Sequence, residues 1–235
     1  MSQFIYENDG YTKEITKEFF RSVYSYMFGA LAISGVLAYY CGTPEFFQAY
    51  FITATGVSPL FYVVAFAPVA LGLAIQWGYR RFSMTVLLGL FVAYSALMGL
   101  SLGSIFLVYS GATIAQTFFV TAGAFAGMAI LGYTTKTDLT KFGSLLYMVF
   151  IGMFIAAIVN IFMESDTMGF VISVLGVFVF TGLTAYYMQQ LKGAAQDTSL
   201  SGVERNKLAL IGGLQLYILF VNLFLSLLRL VGSRD

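Results

Sequence analysis

Seven apolar stretches, each close to the length of a bilayer crossing, constrain this chain more than any other feature: residues 22–42, 58–79, 82–109, 112–133, 142–163, 169–190 and 208–229. The hydrocarbon layer is about 30 Å thick and a helix rises about 1.5 Å per residue, so each stretch is long enough to cross it. Backbone facing lipid must satisfy its own hydrogen bonds, which leaves helices or closed barrels. Barrel strands are shorter and alternate apolar with polar residues, a pattern these stretches lack. The expected fold is all-α: a polytopic membrane protein with a seven-transmembrane-helix bundle at 20–232 and a cytoplasmic N-terminal tail at 1–19. The third stretch is the longest, which predicts a tilted helix. Pro68, inside the second, predicts a kink.

Composition excludes several functions. Of 235 residues, 10% are charged and 59% hydrophobic, whereas soluble domains carry about 25% charged residues. A net charge of +1 gives no basic face for nucleic acid. Histidine is absent, which removes the usual metal ligand and the usual switch near neutral pH. Cys41, the one cysteine, cannot form an internal disulfide or a cysteine zinc site. Residues 1–19 mix Glu7, Asp9, Lys13, Glu14, Lys17 and Glu18, unlike a cleavable signal peptide. The first span is therefore expected to remain as an anchor.

The breaks between spans are short and polar: 43–57, Arg80–Arg81, 109–111, 134–141, 164–166, and 191–207, the longest late loop. With seven spans, one face carries Lys13, Lys17, Arg21, Arg80, Arg81, Lys136, Lys141, Lys192, Arg205 and Lys207, and the other only Arg229 and Arg234. That asymmetry predicts a cytoplasmic N-terminus and an external C-terminus in a cell inner (plasma) membrane. The 208–229 segment is the one whose full crossing the sequence supports least; a re-entrant course there would return the C-terminus inside. Trp77, Tyr79, Tyr109 and Tyr133 fall near span ends, as interfacial or simply packed aromatics.

Ionisable groups inside a membrane usually mark function. The span interiors contain no Asp, Glu, Lys, Arg or His, so neither a proton relay nor a carboxylate cation site is evident. What remains is neutral, mainly Gln76, Gln116, Asn160, Gln189, Gln190, Gln215 and Asn222; Asn160 lies near the end of the fifth span, and Gln215, Leu219 and Asn222 share one stripe of the last. Two readings stay open for them, a polar path and interhelical hydrogen bonding worth about 0.6 kcal/mol on average. Gly99-xxx-Gly103 and Gly123-xxx-Gly127 match a close-packing motif, but about two such pairs arise from the glycine content alone. There is no nucleophile–base pair, phosphate loop or metal-ligand cluster. No catalytic residue, metal or cofactor is expected.

The 99–163 segment is more specific. Thr121-Ala122 with Phe125, then Gly132-Tyr133-Thr134-Thr135-Lys136-Thr137-Asp138-Leu139, then Asn160, closely resemble the Bax inhibitor-1 family. Val23-Tyr24 and Gly29-Ala30-Leu31 look like its opening helix. The segments LYILFVNLF at 216–224 and RLVG at 229–232 look like its closing one. The resemblance implies a seven-helix bundle with a central path, and associations with calcium leak, cell-death protection and, in bacteria, a membrane-bound AAA protease. Its calcium-leak members carry an acidic pair, in patterns like TAYDTQ and LYLDFINLF. This chain reads Thr184-Ala185-Tyr186-Tyr187-Met188-Gln189 and Leu216-Tyr217-Ile218-Leu219, so Tyr187 and Leu219 stand at those positions as candidate pore or gate residues. Two nearby carboxylates titrate as a coupled pair and so sense pH; tyrosine and leucine cannot replace them.

Two functions are expected from this reading. One is a non-catalytic stress or quality-control regulator that binds a membrane partner such as a membrane-bound protease. The other is a leak for calcium or other cations that lacks the acidic pH sensor.

Overall fold

The computed structural model describes residues 2–53, 56–197 and 199–232, and its fold is all-α apart from one small hairpin. Among the described residues, seven helices are long and apolar enough to cross a membrane. In chain order the helices are α1 (Ser2–Cys41), α2 (Pro44–Tyr50), α3 (Pro59–Gly78), α4 (Met84–Leu102), α5 (Gly111–Thr134), α6 (Thr140–Met163), α7 (Asp166–Gln196) and α8 (Gly202–Val231). All but α2 are membrane-length. The α1 backbone is helical from Ser2 onward, so the 1–19 segment and the first span share one helix.

The helix ends follow capping chemistry. Thr43 accepts a hydrogen bond from Phe46 N at 3.3 Å and Pro44 opens α2, because a helix start needs side-chain acceptors and tolerates proline. Ser83 caps α4 in the same way. Glu164 closes α6 in the left-handed region, at φ 50°. Before α8, Ser201 accepts from Glu204 N at 3.2 Å while the Glu204 carboxylate accepts from Ser201 N at 3.0 Å. That reciprocal pair is a capping box.

Several boundaries depart from the sequence reading. The 191–207 loop shrinks to residues 197–201, since α7 runs on to Gln196 and α8 starts at Gly202. The polar residues there are good helix formers, and the capping box sets the restart. The 43–57 break holds α2 and an antiparallel hairpin pairing Ile52 with Val57 and Thr53 with Gly56. The third stretch is helical only to Leu102 and tightens into a 3-10 turn at Gly103–Leu107. Pro68 is buried inside α3, which continues past it to Gly78. The 208–229 segment lies within one unbroken 30-residue helix, and 67% of its apolar window is buried. Arg234 lies outside the described residues.

The chain forms two compact units, Met1–Ser110 with Ala195–Tyr217 and Asp235, and Gly111–Ala194 with Ile218–Arg234. Thus α8 gives its first half to one and its second half to the other. In the first unit α1 packs on α4 and α4 on α3. At Gly99 a Cβ would sit 2.8 Å from Ser34 O, so α4 and α1 meet backbone to backbone. Phe47, Phe51 and Val64 form a small apolar cluster. In the second unit, a Cβ at Gly132 would lie 2.6 Å from Ala185 Cα and collide with the Ala185 carbonyl, which brings α5 onto α7. Phe118 and Phe125 of α5 pack their ring edges on Phe220 of α8, with centroids 5.3 and 5.5 Å apart.

The outward faces are apolar. Phe162 is 84% exposed and Trp77 81%, and only 6% of the α6 window is buried. Water would penalise such surface at about 25 cal/mol per Å², so lipid is its solvent.

Candidate functional site

Tyr187 is held by its neighbours on α6 and α7. Gly143 leaves no side chain on its face of α6, and the Tyr186 ring fills the place a Cβ would take. One turn on, the Tyr147 hydroxyl hydrogen-bonds the Tyr187 hydroxyl. The rings of Tyr147, Tyr186 and Tyr187 meet edge to face, with centroids 5.6–6.3 Å apart. Offset edge contacts of this kind suit the aromatic quadrupole. The cluster is neutral and couples α6 to α7 through hydroxyls and ring edges.

Two residues past Tyr187, the side chain of Gln189 clasps the loop between α5 and α6. Its Oε1 accepts from Leu139 N at 2.8 Å, and its Nε2 donates to Thr137 O at 2.7 Å. Lys192, one turn further along, donates to Tyr133 O at 2.8 Å and lies 5.1 Å from the Tyr133 ring centroid. Asp138 is exposed and accepts from Thr140 N at 2.9 Å. Hydrogen bonds from Thr140 hold its carboxyl below the usual carboxylate range, with a smaller contribution from Lys141. The Gly132–Leu139 motif is therefore a fastened loop. Tyr187 lies about 3 Å of helix rise from Gln189, near the end of the helices that carries Lys136, Lys141 and Lys192.

The other candidates are dispersed. Leu219 is 3% exposed on α8. Asn222 turns onto its own helix, donating to Ile218 O at 2.8 Å, and its carbonyl accepts from Ser226 Oγ at 2.8 Å. Gln215 is half-buried, one turn before Leu219. Asn160 sits at the α6–α7 corner, where its Oδ1 accepts from Ser165 N at 3.1 Å and its carbonyl accepts from Glu164 N at 2.9 Å. There it borders an 860 Å³ depression with Ser165, Asp166 and Arg229.

Sequence reasoning missed two features. One is Tyr147, which shares a face of α6 with Gly143 at i, i+4, a spacing that does not tell which residue of another helix it meets. The other is a buried network in the first unit. Ser34 Oγ lies 2.8 Å from both Ala30 O and Ser95 O, and 2.6 Å from the hydroxyl of Tyr217, which is 0% exposed. A hydroxyl has one proton to give. Tyr217 therefore donates to Ser34, and Ser34 donates to one of the two carbonyls. The Tyr94 ring abuts Tyr217 at 5.9 Å.

This network has a testable asymmetry. Ser34→Ala strands the buried Tyr217 hydroxyl and should cost about 1–3 kcal/mol, whereas Tyr217→Phe removes the donor itself and should cost about 1 kcal/mol. The double variant should be more stable than Ser34→Ala alone, as read by unfolding in mixed micelles. A double variant less stable than both singles would refute the assigned donor.

Comparison with known proteins gives a concordant result. A family model described as "Inhibitor of apoptosis-promoting Bax1" matches residues 16–235. Inner membrane protein YbhL of Escherichia coli K12 is 38% identical over 214 residues, covering 90% of each chain. An uncharacterized protein of Borreliella burgdorferi is 41% identical over 224 residues, 94% of each chain. An uncharacterized membrane protein of Streptococcus pyogenes is 32% identical over 218 residues, 93% of each.

Proposed function

The chain belongs to the Bax inhibitor-1 family of integral membrane proteins, and from that premise we propose that it is a non-catalytic inner-membrane regulator acting through a membrane partner such as a membrane-bound AAA protease. One observation carries this reading. Where the resemblance places an acidic pair in calcium-leak members, this chain has Tyr187 bonded to Tyr147 and a buried Leu219. Calcium is held by several hard oxygens, commonly carboxylates. Neither a phenol pair nor a leucine supplies charge to offset a divalent ion stripped of water. The description of YbhL as an inner membrane protein supports the location. The lysine and arginine asymmetry supports a cytoplasmic N-terminus and an external C-terminus.

The second reading, a cation leak without an acidic sensor, is favoured by the Tyr147–Tyr187 hydroxyls, which put two polar atoms between α6 and α7. Pull-down of the full-length protein from native membranes, with and without residues 1–19, separates the two readings. The expected result is an AAA protease that co-purifies with the full chain and is lost or reduced without the tail. An empty pull-down, together with cation flux from the pure protein in liposomes, would replace the regulator by the leak.

A further inference from the structure

We propose that a cavity between α1 and the first turns of α8 is a binding site for a phosphate group. The cavity measures 590 Å³ and lies wholly within the first unit. Its wall includes Arg21, Ser22, Ser25 and Tyr26 of α1, with Arg205 and Asn206 of α8. Two guanidinium groups, hydroxyls and an amide are the donor set that phosphate oxygens take.

Arg205 is the informative member. Its Nη2 donates to Asp197 O at 2.9 Å. Among the described residues, its Nε is the one buried side-chain nitrogen or oxygen with no hydrogen-bond partner. Buried donors are nearly always paired; the Nε–H is covered in this structure, and an acceptor seated between Arg21 and Arg205 meets it once the Arg205 side chain, which lines the cavity, turns toward the opening. Among the described residues, the two acids nearest Arg205 along the chain are engaged elsewhere. Asp197 accepts from Ser199 N at 2.9 Å and Ser199 Oγ at 2.6 Å. Glu204 is spent on the Ser201 cap. Among the described residues, Glu18 is the one acid on the wall, against Arg21 and Arg205. Lys13, Lys17 and Lys207 lie on the same helix segments and are offset by Glu14, Glu18 and Glu204, so that Arg21 and Arg205 leave a net positive charge there. The α8 N-terminus, which opens at Gly202 on the cavity wall, contributes its partial positive charge.

The phosphate can belong to an anionic lipid headgroup or be free in solution, and two probes distinguish these sources. Full-length protein in neutral detergent is offered phosphatidylglycerol or phosphatidylcholine and read by native mass spectrometry; inorganic phosphate is added separately and read as a shift in Tm. If the source is lipid, phosphatidylglycerol should be retained about tenfold better than phosphatidylcholine, a difference that R21Q/R205Q abolishes and R80Q/R81Q keeps. If the source is the free ion, inorganic phosphate should raise the Tm of the wild type and not of R21Q/R205Q. R205K keeps the charge but loses the forked donors, and should weaken binding about threefold or more even if the double variant fails to fold. The proposal is overturned if neither probe binds the folded wild type, or if R205K and R21Q/R205Q bind as the wild type does.

Discussion

Gly132→Ala should destabilise the protein by about 3 kcal/mol or more and sharply lower its folded yield in detergent. The added methyl would sit 2.6 Å from Ala185 Cα and against its carbonyl. Backbone atoms cannot rotate away as a side-chain tip can, so α5 and α7 have to part. Residues 186–189 of α7 hold the tyrosine cluster and the loop clasp, so the same displacement loosens both. Gly123→Ala and Gly127→Ala, on the same helix, have nothing within 4 Å of the new Cβ. They should be neutral or slightly stabilising, because alanine is the better helix former by about 1 kcal/mol. Thermal unfolding of the three variants checks this. A Gly132→Ala protein that melts like its two controls would show that the helices do not meet there.

The second large effect concerns ion flux. In liposomes the wild type should pass little calcium, at a rate unchanged between mildly acid and mildly alkaline pH. Tyr187→Asp combined with Leu219→Asp should make flux depend on pH, because two carboxylates titrate together where a phenol and a leucine do not. The same substitution breaks the Tyr147–Tyr187 bond and places a polar group at a position now 3% exposed. The double variant should therefore also be less stable than the wild type. A wild-type flux that is large and switches over this range would sink the regulator reading. A double variant with flat flux would show that these two positions do not correspond to the acidic pair.

Most of the fold was legible because bilayer thickness imposes a length on the sequence. The 58–79 and 112–133 stretches became Pro59–Gly78 and Gly111–Thr134, since a run of apolar residues ends where hydrocarbon does. Polar extensions were not legible by that criterion. Lys192, Gln196, Glu204 and Lys207 read as loop on hydropathy, yet they continue α7 and α8, and the Ser201–Glu204 capping box that sets the restart went unread. The candidate site was legible in part. Tyr187 and Leu219 stood out through a motif, but the partner of Tyr187 depends on how α6 and α7 align, and spacing along one helix carries no such information. Gln189 was noted as a neutral polar residue, and its reach across 50 residues to Leu139 shows only in three dimensions.

The division of α8 between two units has a consequence for how the protein is made. Ser34 and Tyr217 are 183 residues apart, so at about 5–20 residues per second the ribosome delivers the second roughly 10–40 s after the first. Until then the opening helix waits in lipid without its final neighbour, and the Ala30 carbonyl one turn back gives the Ser34 hydroxyl an acceptor. Completion of the unit that begins with α1 is thus deferred until α8 has been made, so α1 goes without this partner throughout the synthesis of α5, α6 and α7.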